Sequence, residues 1–132
     1  MKFTEGLKKN QEFQEVYKKG VSRANRYFVM YVSENHRQVN RLGVSVSKKV
    51  GNSVVRHRVK RLVKESYRLH EDIFNSGLNI AVIARAGAAF ASYREVESAI
   101  LHLGKLHGIL KRPGDRAGAI FGINDVKESV SE

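Results

Sequence analysis

The chain has 132 residues and a formal net charge of +11, from 24 Lys and Arg against 13 Asp and Glu, and its 42% hydrophobic content is enough for the core of one domain. Zero cysteines exclude disulfide scaffolds, Cys-ligated zinc and thiol nucleophiles. No apolar run approaches the roughly 20 residues of a membrane span, and the opening MKFTEGLKKNQEFQ lacks the apolar centre of a secretory signal. The expected setting is therefore cytoplasmic, and the expected partner a polyanion, with nucleic acid first and an anionic membrane surface second.

Taken in chain order, Asn10 is placed to cap a first helix ending at Gly20, with Phe13, Val16 and Tyr17 on one face. Tyr27 to Val32 (YFVMYV) is β-branched and aromatic and reads as a strand, with Tyr27, Val29 and Tyr31 sharing a face. In the next strand Leu42, Val44 and Val46 alternate with Gly43, Ser45 and Ser47, so one of its faces is small and polar. Asn52 or Ser53 caps a central helix whose apolar positions Val55, Val59, Leu62, Ser66, Leu69 and Ile73 fall within one arc. Leu78 to Ala84 (LNIAVIA) is almost continuously apolar, as expected of a strand covered on both faces. A last helix spans Tyr93 to Leu110, with Val96, Ile100, Leu103, His107 and Leu110 at helical spacing. The order predicts an α+β fold, a sandwich of one sheet with helices against it, over residues 1–110. Residues 111–132 balance four basic against four acidic side chains around Pro113 and three glycines, and read as a flexible tail.

The charge is concentrated. Lys48, Lys49, Arg56, Arg58, Lys60, Arg61, Lys64 and Arg68 face one acid, Glu65, so 21 residues carry +7 of the +11. With Val55 at 0°, Arg56, Lys60, Lys64, His57, Arg68 and Arg61 fall between about 100° and 240°, opposite the predicted core arc. A solvated surface is the ordinary explanation of a charge run, but solubility is served equally by mixed signs. One-signed charge, with Lys48 and Lys49 in the turn before the helix, points to phosphate binding.

The run SVSKKVGNSVVRHRVKRLVKESYR, Ser45 to Arg68, resembles the signature of the bacterial ribonuclease P protein subunit, the small basic partner of a catalytic RNA that removes the 5′ leader from precursor tRNA. The similarity extends to KKNQEFQEVYKKG (Lys8 to Gly20), NRYFVMY (Asn25 to Tyr31) and NIAVIAR, covering about residues 7–110. The family pattern has Arg-Asn-Arg where this chain has Arg56-His57-Arg58, which alters the side chain offered at position 57. The resemblance implies RNA contacts from Arg56, Arg58, Lys60, Arg61 and Lys64, and the charged face of the helix with the turn before it adds Lys48, Lys49, His57 and Arg68 to the expected RNA-binding residues. The resemblance also implies a groove for the single-stranded leader lined by Phe13, Tyr17 and Tyr31. Its implied fold is similar to domain 2 of ribosomal protein S5, with a left-handed βαβ crossover and one further short strand that the residue pattern does not locate. The implied assembly has one protein per RNA.

No residue set suggests protein-based chemistry. The five histidines lack HExxH spacing, His107 falls in the apolar arc of the last helix, and no acidic cluster suits a two-metal nuclease. By resemblance, the hydrolysis belongs to Mg²⁺ held in the RNA, and the protein is a non-catalytic subunit. A ribosomal RNA-binding protein and a protein-only nuclease are the alternatives, and Phe13, Tyr17 and Tyr31 read from spacing alone as ordinary core.

Overall fold

The computed structural model describes residues 4–111, which run β1 (Thr4–Gly6), α1 (Asn10–Lys19), β2 (Val21–Ala24), β3 (Phe28–Glu34), β4 (Asn40–Ser45), α2 (Ser53–Leu69), β5 (Leu78–Ala84) and α3 (Tyr93–His107). Short 3-10 turns at Glu71–Ile73 and Ala86–Ala88 follow α2 and β5. The strands form one mixed sheet in the order β1-β4-β5-β3-β2. The two central pairings differ in sense: β4 runs parallel to β5, joined through α2, whereas β3 runs antiparallel to β5. This is the single-sheet α+β architecture expected from the sequence. Of the tail expected at 111–132, all but Lys111 lies outside the described residues.

The two faces of the sheet are covered unequally. On one, α2 and α3 pack over Phe28, Met30, Leu42, Val44, Ile80 and Val82, and bring Val59, Val63, Tyr67, Val96, Ile100 and Leu103 into the main core. On the other, the short α1 contributes Val16 to a small cluster with Leu7 and Ala81. Leaving Val29, Ser45 and Ile83 only half-buried, α1 does not seal its face.

Several local expectations are corrected. Asn10 is the first residue of α1 rather than its cap; the capping position is Lys9, and the Glu12 carboxylate reaches back to the amides of Lys8 and Lys9 at 3.0 and 2.9 Å. β1 and β2 escape detection because edge strands of three and four residues, with intermediate or exposed side chains, carry no buried-face pattern. Tyr27 precedes β3 instead of opening it. Asn25 Oδ1 accepts from the amides of Tyr27 and Phe28, and this turn sends Tyr27 to α3, where its hydroxyl donates to Glu95 at 3.0 Å. It therefore does not share a face with Val29 and Tyr31.

In α2, Asn52 is the cap, accepting from the Val55 amide at 3.0 Å. The buried side is turned from the expected arc toward Val63 and Tyr67, and Leu69 is 52% exposed. Tyr67 causes this rotation: its hydroxyl meets Thr4 Oγ1 at 2.9 Å and accepts from Asn40 Nδ2 at 3.1 Å, tying the helix to β1 and β4. Gly108, at φ 70°, ends α3 three residues short of Leu110.

Candidate nucleic-acid interface

The α1 face is assembled around a row of small residues interrupted by one tyrosine. Register places Gly43, Ala81, Tyr31 and Ser22 side by side across β4, β5, β3 and β2. A β-carbon on Gly43 would lie 2.4 Å from Phe13 Cζ and 2.7 Å from Leu7 Cβ, so only glycine lets the α1 ring settle there. Phe13 and Tyr17 sit 6.2 Å apart between ring centroids, and Tyr17 and Tyr31 sit 4.9 Å apart with planes tilted by 58°. All three rings are half-buried. They are neither sealed core nor free surface, and the adjoining row of Ser45, Ile83 and Val29 extends the same partly open face. Burial pushes the Tyr17 phenol up, with the nearby Ser45 hydroxyl opposing, so the ring stays neutral at physiological pH.

A side chain that the sequence reading passed over holds α1 in place. Besides capping the helix, Glu12 forms an ion pair with Arg41 of β4, and both side chains are mostly withdrawn from solvent. The acid in the first turn at capping-box spacing is a legible signal for half of this arrangement. Nothing in the sequence marks Arg41 as its partner.

The basic residues divide by position. His57, Lys60, Arg61, Lys64 and Arg68 are exposed on α2, as are Lys48 and Lys49 in the turn closed by Val50 N–H donating to Ser47 O. Arg56 and Arg58 are half-buried; the rotation of α2 toward Val63 and Tyr67 brings Arg56 against its packed side. Arg68 is paired with Glu65 and contributes less free charge than its neighbours. Arg56, Lys60 and Lys64, at i, i+4 and i+8, run along the side of α2 that faces β1 and the β4 edge. Lys60 and Lys64 join Lys8, Phe13, Leu42 and Gly43 around a cavity of about 410 Å³. The cationic stripe and the aromatic face are therefore continuous around the β4 edge.

The ribonuclease P family model matches residues 1–107 of the chain. The chain belongs to the ribonuclease P protein family. A ribonuclease P protein component from Lachnoclostridium phytofermentans is 59% identical over 107 residues, covering 81% of this chain and 92% of the relative. The ribonuclease P protein fold is also matched in solved structures. The Staphylococcus aureus protein aligns with a TM-score of 0.75 and 38% identity over 80% of this chain and 97% of that one. The Thermotoga maritima protein aligns with a TM-score of 0.70 and 30% identity over 75% and 94%. Membership makes the chain a subunit of a tRNA-processing endoribonuclease. Among the described residues no helix is long and apolar enough to cross a membrane, and no three His, Asp or Glu side chains gather into a metal-binding group.

Proposed function

We propose that this ribonuclease P protein binds the catalytic RNA through α2 and the turn before it, and receives the 5′ leader of precursor tRNA on the α1 face. The observation that carries the proposal is the continuity just described: Lys60 and Lys64 share a cavity with Phe13, whose ring adjoins Tyr17 and, through it, Tyr31. Single-stranded RNA needs cations at phosphate spacing and aromatic surface for its bases, and one wall of this groove supplies each. Lys48, Lys49, Arg56, Arg58, Arg61 and Arg68 extend the phosphate contacts along the RNA subunit, with one protein per RNA, in the cytoplasm. His57 is a tolerant, outward position.

Cleavage in this reading is performed by the RNA with its Mg²⁺, and no protein group acts as acid, base or nucleophile. What the protein supplies is substrate affinity: a leader bound on α1 raises the occupancy of precursor over mature tRNA, which lacks that segment. Mg²⁺ and the cationic groove both neutralise phosphate, so the contribution is largest when Mg²⁺ is scarce. The test is cleavage of precursor tRNA at low Mg²⁺ by the cognate RNA alone and with the protein added. Faster cleavage and tighter precursor binding are expected. Unchanged affinity and rate would overturn the assignment.

A further inference from the structure

On the opposite edge of the sheet, the turn between β2 and β3 and the outer side of α3 flank a second, open cavity of about 410 Å³. Its lining includes Arg26, Tyr27, Arg94, Glu95, Ser98 and His102. Its volume lies within the range of roughly 300–1,000 Å³ usual for small-ligand sites. α3 packs over β2 and β3 whereas α2 packs over β4, so three strand spacings, about 15 Å, separate this cavity from the α2 stripe.

One asparagine organises the walls. Asn25 Oδ1 accepts from the Tyr27 and Phe28 amides at 3.1 and 3.0 Å, which settles the orientation of its side-chain amide. Its Nδ2 then donates to the Ala99 carbonyl at 3.0 Å and lies 3.3 Å from His102 Nδ1. The ring nitrogen facing that N–H must be the acceptor, so Nε2–H is the donor His102 has left to offer. The Arg26 guanidinium lies 5.5 Å from the Tyr27 ring centroid. Glu95 accepts from the Tyr27 hydroxyl at 3.0 Å and from the Ser92 amide at 2.9 Å. These bonds, the Ser92 amide foremost, hold its carboxyl below the usual range, so it is an acceptor at neutral pH. Among the described residues neither Arg26 nor Arg94 is in a salt bridge.

We infer that this cavity is a second RNA site that takes one unpaired nucleotide, with its base beside Tyr27 and its phosphate on Arg26 and Arg94. Glu95, Ser98 and His102 Nε2–H then face the base edge or the ribose 2′-hydroxyl, a mixed donor and acceptor set that a bare phosphate would not use. The Glu95 carboxylate repels phosphate from its own part of the cavity and leaves the Arg26 and Arg94 guanidinium groups as its seat. The nucleotide belongs either to the catalytic RNA or to the precursor, and the same chemistry recognises both.

Two kinds of variant test the site. Ser98→Trp and His102→Trp, at exposed positions of α3, fill the cavity and keep both arginines, whereas Arg26→Ala with Arg94→Ala removes the phosphate seat. Each is titrated against the catalytic RNA alone and, in the reconstituted enzyme, against precursor and mature tRNA, with melting curves confirming the fold. Cavity filling is expected to weaken RNA binding by roughly 5- to 150-fold, the worth of one lost base stack. The double arginine variant is expected to reduce the log-log salt slope by about one, the share of one neutralised phosphate. Loss against the catalytic RNA alone assigns the nucleotide to it, and loss confined to precursor and mature tRNA assigns it to the substrate. Unchanged affinity for every RNA in both Trp variants would overturn the inference, as would weakening by the arginine variant alone, which would mark a plain phosphate contact. The site shares no lining residue with α2 or the α1 groove, so either reading can fail without the other.

Discussion

Replacing Gly43 by Ala tests whether the α1 face is a functional surface built to a tolerance. The added β-carbon would meet Phe13 Cζ at 2.4 Å and Leu7 Cβ at 2.7 Å, both well inside van der Waals contact. The Phe13 ring can swing away, but Leu7 Cβ is close to the backbone that pairs with Leu42 O at 2.9 Å, so some of the strain must move α1 or the β1 connection. Overpacking of this kind costs about 1–3 kcal/mol. For a domain of this size that is a fall of roughly 5–15 °C in Tm. The main core, on the far side of the sheet, is untouched, so the protein should still fold and α2 should still bind the catalytic RNA. Leader recognition should suffer. The assay is a pair of affinities, for precursor and mature tRNA in the reconstituted enzyme, beside a thermal melt. We expect the preference for precursor to shrink while mature tRNA affinity holds; in Gly43→Ala/Phe13→Leu, where a smaller side chain gives the new methyl room, Tm should partly recover but the precursor preference should not, because a groove ring is lost. A variant with the expected loss of Tm but an unchanged precursor preference would show that the α1 face is only structural.

Other perturbations separate the remaining parts. Replacing Arg56, Lys60 and Lys64 together by Ala should weaken RNA binding and lower the log-log salt slope by up to roughly three; an unchanged slope in a salt titration would contradict phosphate contact. Tyr17→Ala and Tyr31→Ala should each weaken leader-bearing precursor by about 1–3 kcal/mol while sparing mature tRNA, whereas equal loss for both with a large fall in Tm would return them to core packing. Glu12→Ala removes a helix cap and leaves Arg41 half-buried without its partner, so unfolding titrations should show a loss of about 2–3 kcal/mol. His57→Asn should leave the pH-rate profile of the reconstituted enzyme unchanged, and a lost ionisation would mean that the imidazole takes part. The His107 ring donates from Nε2 to the Met30 carbonyl at 2.9 Å, and burial foremost, with Arg23 nearby, lowers its pKa below the ordinary 6.5. The unfolded chain therefore binds a proton more readily, so Tm should fall as pH drops through about 6.5, and less so in His107→Gln.

The elements with many buried contacts were legible in the sequence, and those at the edges were not. LNIAVIA declares a central strand because burial on both faces removes every reason for polar residues, and its observed limits are Leu78–Ala84. Gly43 and Ser45, read as a small polar strand face, are where α1 lays its aromatic side. The α2 arc was read one side too far round because Tyr67 is amphipathic, and its hydroxyl partners, Thr4 and Asn40, are 63 and 27 residues away. Helical periodicity weighs a tyrosine by its ring and is blind to such distant hydrogen bonds. The same blindness hid the pairing of Glu12 with Arg41 and the turn of Tyr27 away from its strand. For the proposed site, charge density singles out α2 without any structure, but the route from α2 to the aromatic rings runs through β1, whose three residues carry no signal.

The unequal covering of the sheet explains how one small domain meets two demands. Stability is concentrated where α2 and α3 bury large side chains against three strands, and truncating any one of them costs several kcal/mol, a large share of the total for a domain of this size. The α1 face contributes only three fully buried apolar residues and an ion pair. It is thus free to keep half-buried rings and a row of small residues, which a sealed core would have to fill. The α2 helix joins the two regimes. Its packed side anchors the fold through Val59, Val63 and Tyr67, while Arg56, Lys60 and Lys64 repel one another by some tenths of a kcal/mol per pair, a cost that a polyanion laid along them would remove. In the proposed complex, RNA laid along α2 draws part of its affinity from relieving that repulsion, which the packing of Val59, Val63 and Tyr67 keeps the helix from escaping by local unfolding.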